Sequence, residues 1–354
     1  MIKKVRIKNF KCYGPQGADF NLAKINFIFG DNSAGKSTFL QFLKKVDEVC
    51  SLYGKYERKA LDKFRFRGLP GDILAKLRVE REDDPSSSES IWDFRVSTDN
   101  ENEYELVDAS GNRIGSEELG AVLPVNGVEH VVHIVANRKN ESSQPHERSS
   151  FENAFAMRAD KKAVDYLNDI FSRLEIHCSC VKKEDGQISS TMIHDNDFGV
   201  DLPLSEVGTG IDGLVHLALT LNAWHGGILA LEEPETNVNE MQMEALTRVL
   251  VDEALKRESG QLIVECHSKL MALLLIELVR KGKLKCANFG ENPDGDADAN
   301  LNVMVIEKSS EGSKVKNVTI RRNGDVNWPS GFFPAEGILF QNSYKDLYDY
   351  TVSH

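Results

Sequence analysis

No stretch of this sequence approaches eighteen uninterrupted apolar residues, the length a membrane-crossing helix needs, and the opening MIKKVRIKNFKCYG has no secretory-type apolar run. A cytoplasmic protein with no membrane partner is expected. Cysteine is sparse: six residues, Cys12, Cys50, Cys178, Cys180, Cys266 and Cys286, are scattered over 354, which argues against a disulfide framework. The one dense spot, HCSC at 177–180, lacks a fourth metal ligand and a second cluster, and alternation along a strand accounts for it as well. Heptads and internal repeats are missing. Cations are outnumbered, 43 against 55 acidic residues, and the net charge of −12 disfavours adhesion of the whole surface to nucleic acid.

What is present is the balance of a soluble globular protein, with 41% hydrophobic and 28% charged residues, and length for one large domain or two ordinary ones. Ile2, Val5, Ile7 and Phe10 alternate with cations, as in a half-buried strand, and INFIFG reads as a buried one. From about 69 to 135 the chain turns acidic and strand-like, and AKLRVERE, IWDFRVST and EYELVDASGNRIG suggest an antiparallel meander. ADKKAVDYLNDIFSRL has a helical period, and EIHCSCVKKEDGQISSTMIH reads as two strands across a turn. Beyond residue 200, helical stretches alternate with the apolar strands GILALEEP and QLIVECHS, which implies a parallel sheet covered on both faces. A hairpin and an aromatic turn follow. The expectation is an α/β fold in three segments: 1–138, 139–200 and 201–354.

Two basic stretches interrupt the acidic background. One is KKVRIKNFK at the start; the other, residues 55–68, sets Lys55, Arg58, Lys59, Lys63, Arg65 and Arg67 among Tyr56, Phe64 and Phe66. A solvated helix face or strand edge explains them, and so does a contact with DNA or a partner.

The chemistry centres on GDNSAGKST, Gly30, Asp31, Asn32, Ser33, Ala34, Gly35, Lys36, Ser37 and Thr38. Between an apolar strand and an amphipathic helix, such a loop curls its N–H groups around phosphates, with the helix N-terminus adding its positive end. Lys36 would reach phosphate oxygens and the Ser37 hydroxyl would ligate Mg²⁺. GILALEEPETN ends a strand in two carboxylates, suited to a metal shell at Glu232 and an attacking water at Glu233. Glu232 is longer than the Asp common in this position, which suggests contact through water. On a further strand, His267 would stand at the crevice edge, where it could bond a γ-phosphate or hold the water.

FGDNSAGKST, LSEVGTGIDGLVHLALTL, LALEEPETNVNE and LIVECHS, in this order, resemble the ABC-type ATPases of the RecF/SMC/OLD branch, often labelled AAA-family ATPases; GDVNWPSGFFPAE resembles the tail of one subgroup. The resemblance implies a P-loop ATPase head with ATP and Mg²⁺ as cofactors, Lys36 and Ser37 in Walker A, Glu232 and Glu233 in Walker B, and His267 as switch histidine. It implies a signature loop at Ser205, Gly208 and Gly210 that reaches the ATP of a second subunit, hence a homodimer or higher oligomer. The sequence departs from the family in three places. LSEVGTG is looser than Leu-Ser-Gly-Gly, Asn239 stands where relatives often carry histidine, and no glutamine occurs from 42 to 143, leaving Arg138 as a substitute contact. With neither a coiled coil nor a nuclease domain in view, the expected role is the ATPase of an anti-phage defence system acting on a separately encoded nuclease or toxin. A RecF-like DNA-repair ATPase is the alternative, and the nucleotide subunit of a transporter fits less well.

Overall fold

The computed structural model describes residues 1–51, 73–79, 90–96, 104–108, 110–112, 114, 132–136, 161–185, 188–236, 238–289 and 298–333. They form two compact units that interleave along the chain: 1–134, 226–230 and 257–354 in the first, 135–225 and 231–256 in the second. The segments expected from composition run consecutively instead.

The first unit carries two sheets. Strand β1 (Ile2–Lys8) buries Ile2, Val5 and Ile7 and leaves its cations half-buried. Its alternation skips at Lys3 and Lys4, where a bulge shifts its register against β4 (Ile73–Val79). With β2 (Ala18–Asn21), β5 (Ser90–Val96) and β6 (Tyr104–Val107) the order is β2-β1-β4-β5-β6, and the pairings are antiparallel. The expected meander is therefore present over β4 to β6, with β1 and β2 extending it.

The second sheet centres on β3 (Ile25–Gly30), flanked in parallel by β12 (Gln261–Glu265) and β13 (Leu301–Glu307). Beyond them lie β14 (Lys314–Val318), β11 (Ile228–Glu232) and β7 (Val132–Ala136), in the order β14-β13-β3-β12-β11-β7. Strands β3, β12 and β13 are buried along nearly their whole length, as in a sheet covered on both faces. Two buried amides tie the layers. Gln261 accepts from the Ile2 N–H at 2.8 Å and donates to the carbonyls of Ile2 at 2.8 Å and Ala23 at 3.0 Å; Asn26 brackets Ala23 and reaches the Leu262 carbonyl at 3.1 Å. Such saturation offsets the cost of burying them.

Helix α1 (Lys36–Ser51) leaves β3 through the glycine loop. Its stripe of Phe39, Leu40, Leu43 and Val46 is buried in one cluster with Val5 and Leu77 of the antiparallel sheet and Ile28 and Ile263 of the parallel one. Phe39 stacks on Phe20 at 3.9 Å and Phe42 meets Phe10 edge-on at 5.5 Å.

In the second unit, α2 (Lys161–Arg173) turns Ala163, Val164, Leu167, Ile170 and Phe171 inward. Strands β8 (Cys178–Asp185), β9 (Ile188–Asp195) and β10 (Val200–Leu202) form an antiparallel sheet, with Asp185 opposite Ile188 at the expected turn. Cys178 and Cys180 share one face of β8, while His177 Nδ1 lies 3.2 Å from Asp197. Burial pushes the Cys180 thiol up to about 12. Helices α3 (Thr209–Ala223) and α4 (Glu240–Lys256) complete the unit. Among the described residues no helix is long and apolar enough to cross a membrane.

Candidate functional site

Strand β3 runs into the loop with Gly30 at φ +145°, and a Cβ there would stand 2.4 Å from the Ile306 carbonyl oxygen on β13. Only glycine allows that approach. The loop then takes left-handed turns at Ser33, φ +59°, and Gly35, φ +118°, and helix α1 begins at Lys36. A Cβ on Gly35 would meet Cys12 Sγ at 2.5 Å. These conformations close a compact loop, in which the Ala34 N–H donates to the Asp31 carbonyl at 3.1 Å; loops of this kind can offer backbone N–H groups to an anion.

The Lys36 ammonium, almost fully buried, donates to the carbonyls of Gly30 at 2.9 Å and Asp31 at 3.0 Å, which holds it against the loop. From the other side Tyr13 donates its hydroxyl to the Gly35 carbonyl at 2.6 Å. Burial, and after it the nearby Cys12 and Glu265, raise the Tyr13 pKa well above its ordinary value, so the phenol stays a donor. Ser37, in the first turn of α1, donates its hydroxyl to Glu265 Oε1 at 2.7 Å. A hydroxyl whose proton is taken keeps two lone pairs for a cation, so Ser37 fits a metal ligand.

The sequence pattern carries the strand QLIVECHS to His267 and Ser268, but β12 ends at Glu265, and His267 sits in the short link to α5 (Lys269–Arg280). Ser268 caps that helix, accepting the Met271 N–H at 3.3 Å. A cavity of about 460 Å³ opens at this end of the sheet, lined by Gly30, Asp31, His267, Lys269, Lys308 and Phe332 among others. Its aromatic side is the C-terminal tail. Trp328 stacks on Phe332 at 4.5 Å, and both meet Phe29, the residue before Gly30, edge-on at 6.3 and 5.7 Å.

The remaining candidates lie in the second unit. Glu232 ends β11, and Glu233, only 8% exposed, has φ +47°, a left-handed conformation that costs a non-glycine residue on the order of 1–3 kcal/mol. Its carbonyl accepts the Thr236 N–H at 3.0 Å, closing a turn, and its Oε2 accepts from the Thr236 hydroxyl at 3.5 Å. Asn239 acts as a cap: its Oδ1 accepts the Gln242 N–H at 2.8 Å at the start of α4. Ser205 lies in a 3-10 turn over Leu204–Glu206, Gly208 is the cap residue of α3, and Gly210 stands in the first turn of that helix. Gly208 has no side-chain capping bond and open space around a would-be Cβ.

Of the basic stretches, Arg6 and Lys4 of the first are drawn to Asp19, at 3.2 and 3.8 Å, so part of its charge is neutralised. Lys55, Arg58, Lys59, Lys63, Arg65, Arg67 and Arg138 lie outside the described residues. No role falls to Glu265 in the sequence motifs, yet an acid that closes the buried apolar run at 262–264 must find a partner.

Residues 4–185 match the family model for an AAA domain. No curated protein matches the sequence. Among solved structures, the SMC head domain from Thermotoga maritima superposes with a TM-score of 0.54 at 17% identity, over 90% of this chain and 99% of that one. An SMC head bound to the C-winged helix domain of ScpA gives 0.60 at 14% identity, covering 90% and 98%. An SMC head with an extended coiled coil, bound to the C-terminal domain of ScpA derived from Pyrococcus furiosus, gives 0.57 at 13% identity, covering 90% and 96%. The fold is thus that of an SMC-head-like P-loop ATPase.

Proposed function

Since the chain belongs to the AAA-domain family, we propose that it is an ABC-type ATPase that binds and hydrolyses ATP and associates head to tail around the nucleotide. The observation that carries this reading is the loop of the first unit, with Gly30 and Gly35 in conformations reserved for glycine and Lys36 buried against it. Gly30 to Thr38 would hold the phosphates, Lys36 would neutralise them, and Ser37 and Glu232 would hold Mg²⁺. Bound there, the ion screens the phosphate charge. Glu233 takes a proton from the attacking water, and His267 orients the terminal phosphate. Ser205, Gly208 and Gly210 address the nucleotide of a second subunit. The open space at Gly208 supports that role, because its own fold does not demand a glycine there.

The biological setting we favour is an ATPase subunit of a bacterial anti-phage system, controlling a separately encoded nuclease or toxin. Two of the similar SMC heads are solved with a domain of ScpA bound, which supports a head that works through a separate protein. Nucleotide-gated association is then the switch.

The test compares two variants on a sizing column with and without ATP. Glu233→Gln is expected to bind ATP and accumulate as a dimer, while Lys36→Ala binds poorly and does not shift. Identical elution of the two variants with ATP would overturn the assignment. Co-purification with the neighbouring gene product tests the effector reading, which fails if neither a complex nor an ATP-dependent change in its activity is found.

A further inference from the structure

Resting on that reading of the loop, we infer that Glu265 is a positioning residue for the divalent cation: it accepts the hydrogen bond of the Ser37 hydroxyl and so turns the hydroxyl lone pairs to the metal. The argument starts from burial. Glu265 is 2% exposed and closes β12, all of whose residues are buried. A carboxylate in such a place is stabilised only by hydrogen bonds that meet its charge. Ser37 Oγ supplies one at 2.7 Å, the length of a charge-assisted O–H···O⁻ bond.

The register explains how the two meet. In the parallel pairing of β12 with β3, Glu265 stands opposite Ile28, and the Cys266 N–H donates to the Ile28 carbonyl at 3.1 Å. The acid is therefore level with Ile28, two residues before Gly30 ends β3. Ser37 lies in the first turn of α1, so its side chain meets the end of β12 across a short gap.

A serine hydroxyl has one proton and two lone pairs. Left to rotate, it spends part of its time with the proton facing the cation, which opposes ligation. Glu265 removes that freedom and would add a negative charge beside the hydroxyl that holds the cation. The charge also matters because the glutamine that family resemblance leads one to expect is missing from 42 to 143. Glu265 comes from the strand that precedes the switch histidine, a different strand from the one that carries Glu232.

The test uses the full-length protein and Mn²⁺ as the probe, followed by electron paramagnetic resonance in the presence of ADP, alongside ADP affinity measured in EDTA. Glu265→Gln is expected to weaken Mn²⁺ binding about tenfold, in the range seen when outer partners of metal ligands are lost, while ADP affinity in EDTA stays at the wild-type value. Placed on a Ser37→Ala background, the same change is expected to have no further effect on Mn²⁺, because its route through Ser37 is gone. Should Glu265→Gln not fold, Glu265→Asp keeps the charge but falls one methylene short of Ser37, and is expected to lose Mn²⁺ affinity likewise. Wild-type Mn²⁺ affinity in the variant, or an equal loss with and without Ser37, would overturn the inference. If the wild-type protein bound no ADP at all, the reading of the loop itself would fall, an outcome distinct from either.

Discussion

Tyr13 and Gly35 are joined by a 2.6 Å hydrogen bond from a fully buried phenol to the carbonyl of the last loop residue before α1. The ring is locked edge-on to Phe20 at 5.4 Å, and Phe20 stacks on Phe39 of α1. The loop is thereby braced from the antiparallel layer as well as from its own helix. Tyr13→Phe keeps the ring and removes the brace. Loss of one buried hydrogen bond predicts a stability decrease of about 1 kcal/mol and roughly a fivefold weaker ATP affinity. Titration gives a second readout. The folded pKa of Tyr13 is raised above the unfolded value near 10, so its contribution is complete below about pH 10 and is lost as pH rises toward the folded value. Urea unfolding from pH 8 to 11 should show that extra alkaline slope in the wild type and not in Tyr13→Phe.

The glycines divide into two kinds, and alanine substitution separates them. At Gly35 a methyl would enter at φ +118° within 2.5 Å of Cys12 Sγ, and at Gly30 it would meet the backbone of Ile306. Either change should cost at least about 2 kcal/mol in thermal or urea unfolding and abolish nucleotide binding. Gly208 has an ordinary φ of −60° and nothing within 4 Å of the added methyl. Gly208→Ala is expected to leave stability within about 0.5 kcal/mol of wild type and ATP affinity unchanged, yet to suppress ATP-driven association. A fully associating Gly208→Ala protein would remove the signature assignment.

How far the sequence was readable follows from the range of each interaction. The loop was legible because strand, glycines and helix are contiguous, and the buried strands announced themselves by unbroken apolar runs such as ILAL and LIV. The bond between Ser37 and Glu265 joins residues 228 apart, and no local pattern encodes it. The end of β12 was misjudged because Cys266 looks like core and is indeed buried, while Ser268 is spent on capping α5. Asn239 likewise looked like a departure from a functional histidine, and it serves as a helix cap. The interleaving of the units arises because β11 and β12 return to the sheet that β3 began, a topological fact that composition along the chain does not carry.

A buried acid organises the second unit as Glu265 does the first. Glu253, 2% exposed on α4, accepts from Arg173 at 2.8 Å, Lys256 at 2.8 Å and Tyr166 at 2.8 Å. Burial alone would lower the Arg173 pKa, but the bond to Glu253 and the charges of Glu253, Asp169 and Asp252 raise it. Arg173→Met should destabilise by about 2 kcal/mol, because the buried carboxylate loses its guanidinium and is left with Lys256 and Tyr166, while Arg173→Met with Glu253→Met should recover most of that loss. Urea midpoints of the four proteins of this cycle check it. Additive losses would show that the pair is not the organising contact.

The aromatic tail offers the last prediction, and it turns on a nitrogen. Trp328 is stacked on Phe332 and edge-on to Phe29 and Phe333, while its indole N–H is buried without a hydrogen-bond partner among the described residues. The ring is therefore held by its faces and edges, and its donor adds only a desolvation cost. Trp328→Phe keeps most ring contacts and sheds that donor, so a loss below about 1 kcal/mol is expected; Trp328→Ala should lose about 3 kcal/mol. Because Phe29 is the residue on which Gly30 and the loop are mounted, the alanine variant should also weaken ATP binding, whereas the phenylalanine variant should not. Thermal unfolding and isothermal titration on both variants decide it, and an alanine variant with wild-type ATP affinity would mean that the tail does not support the loop.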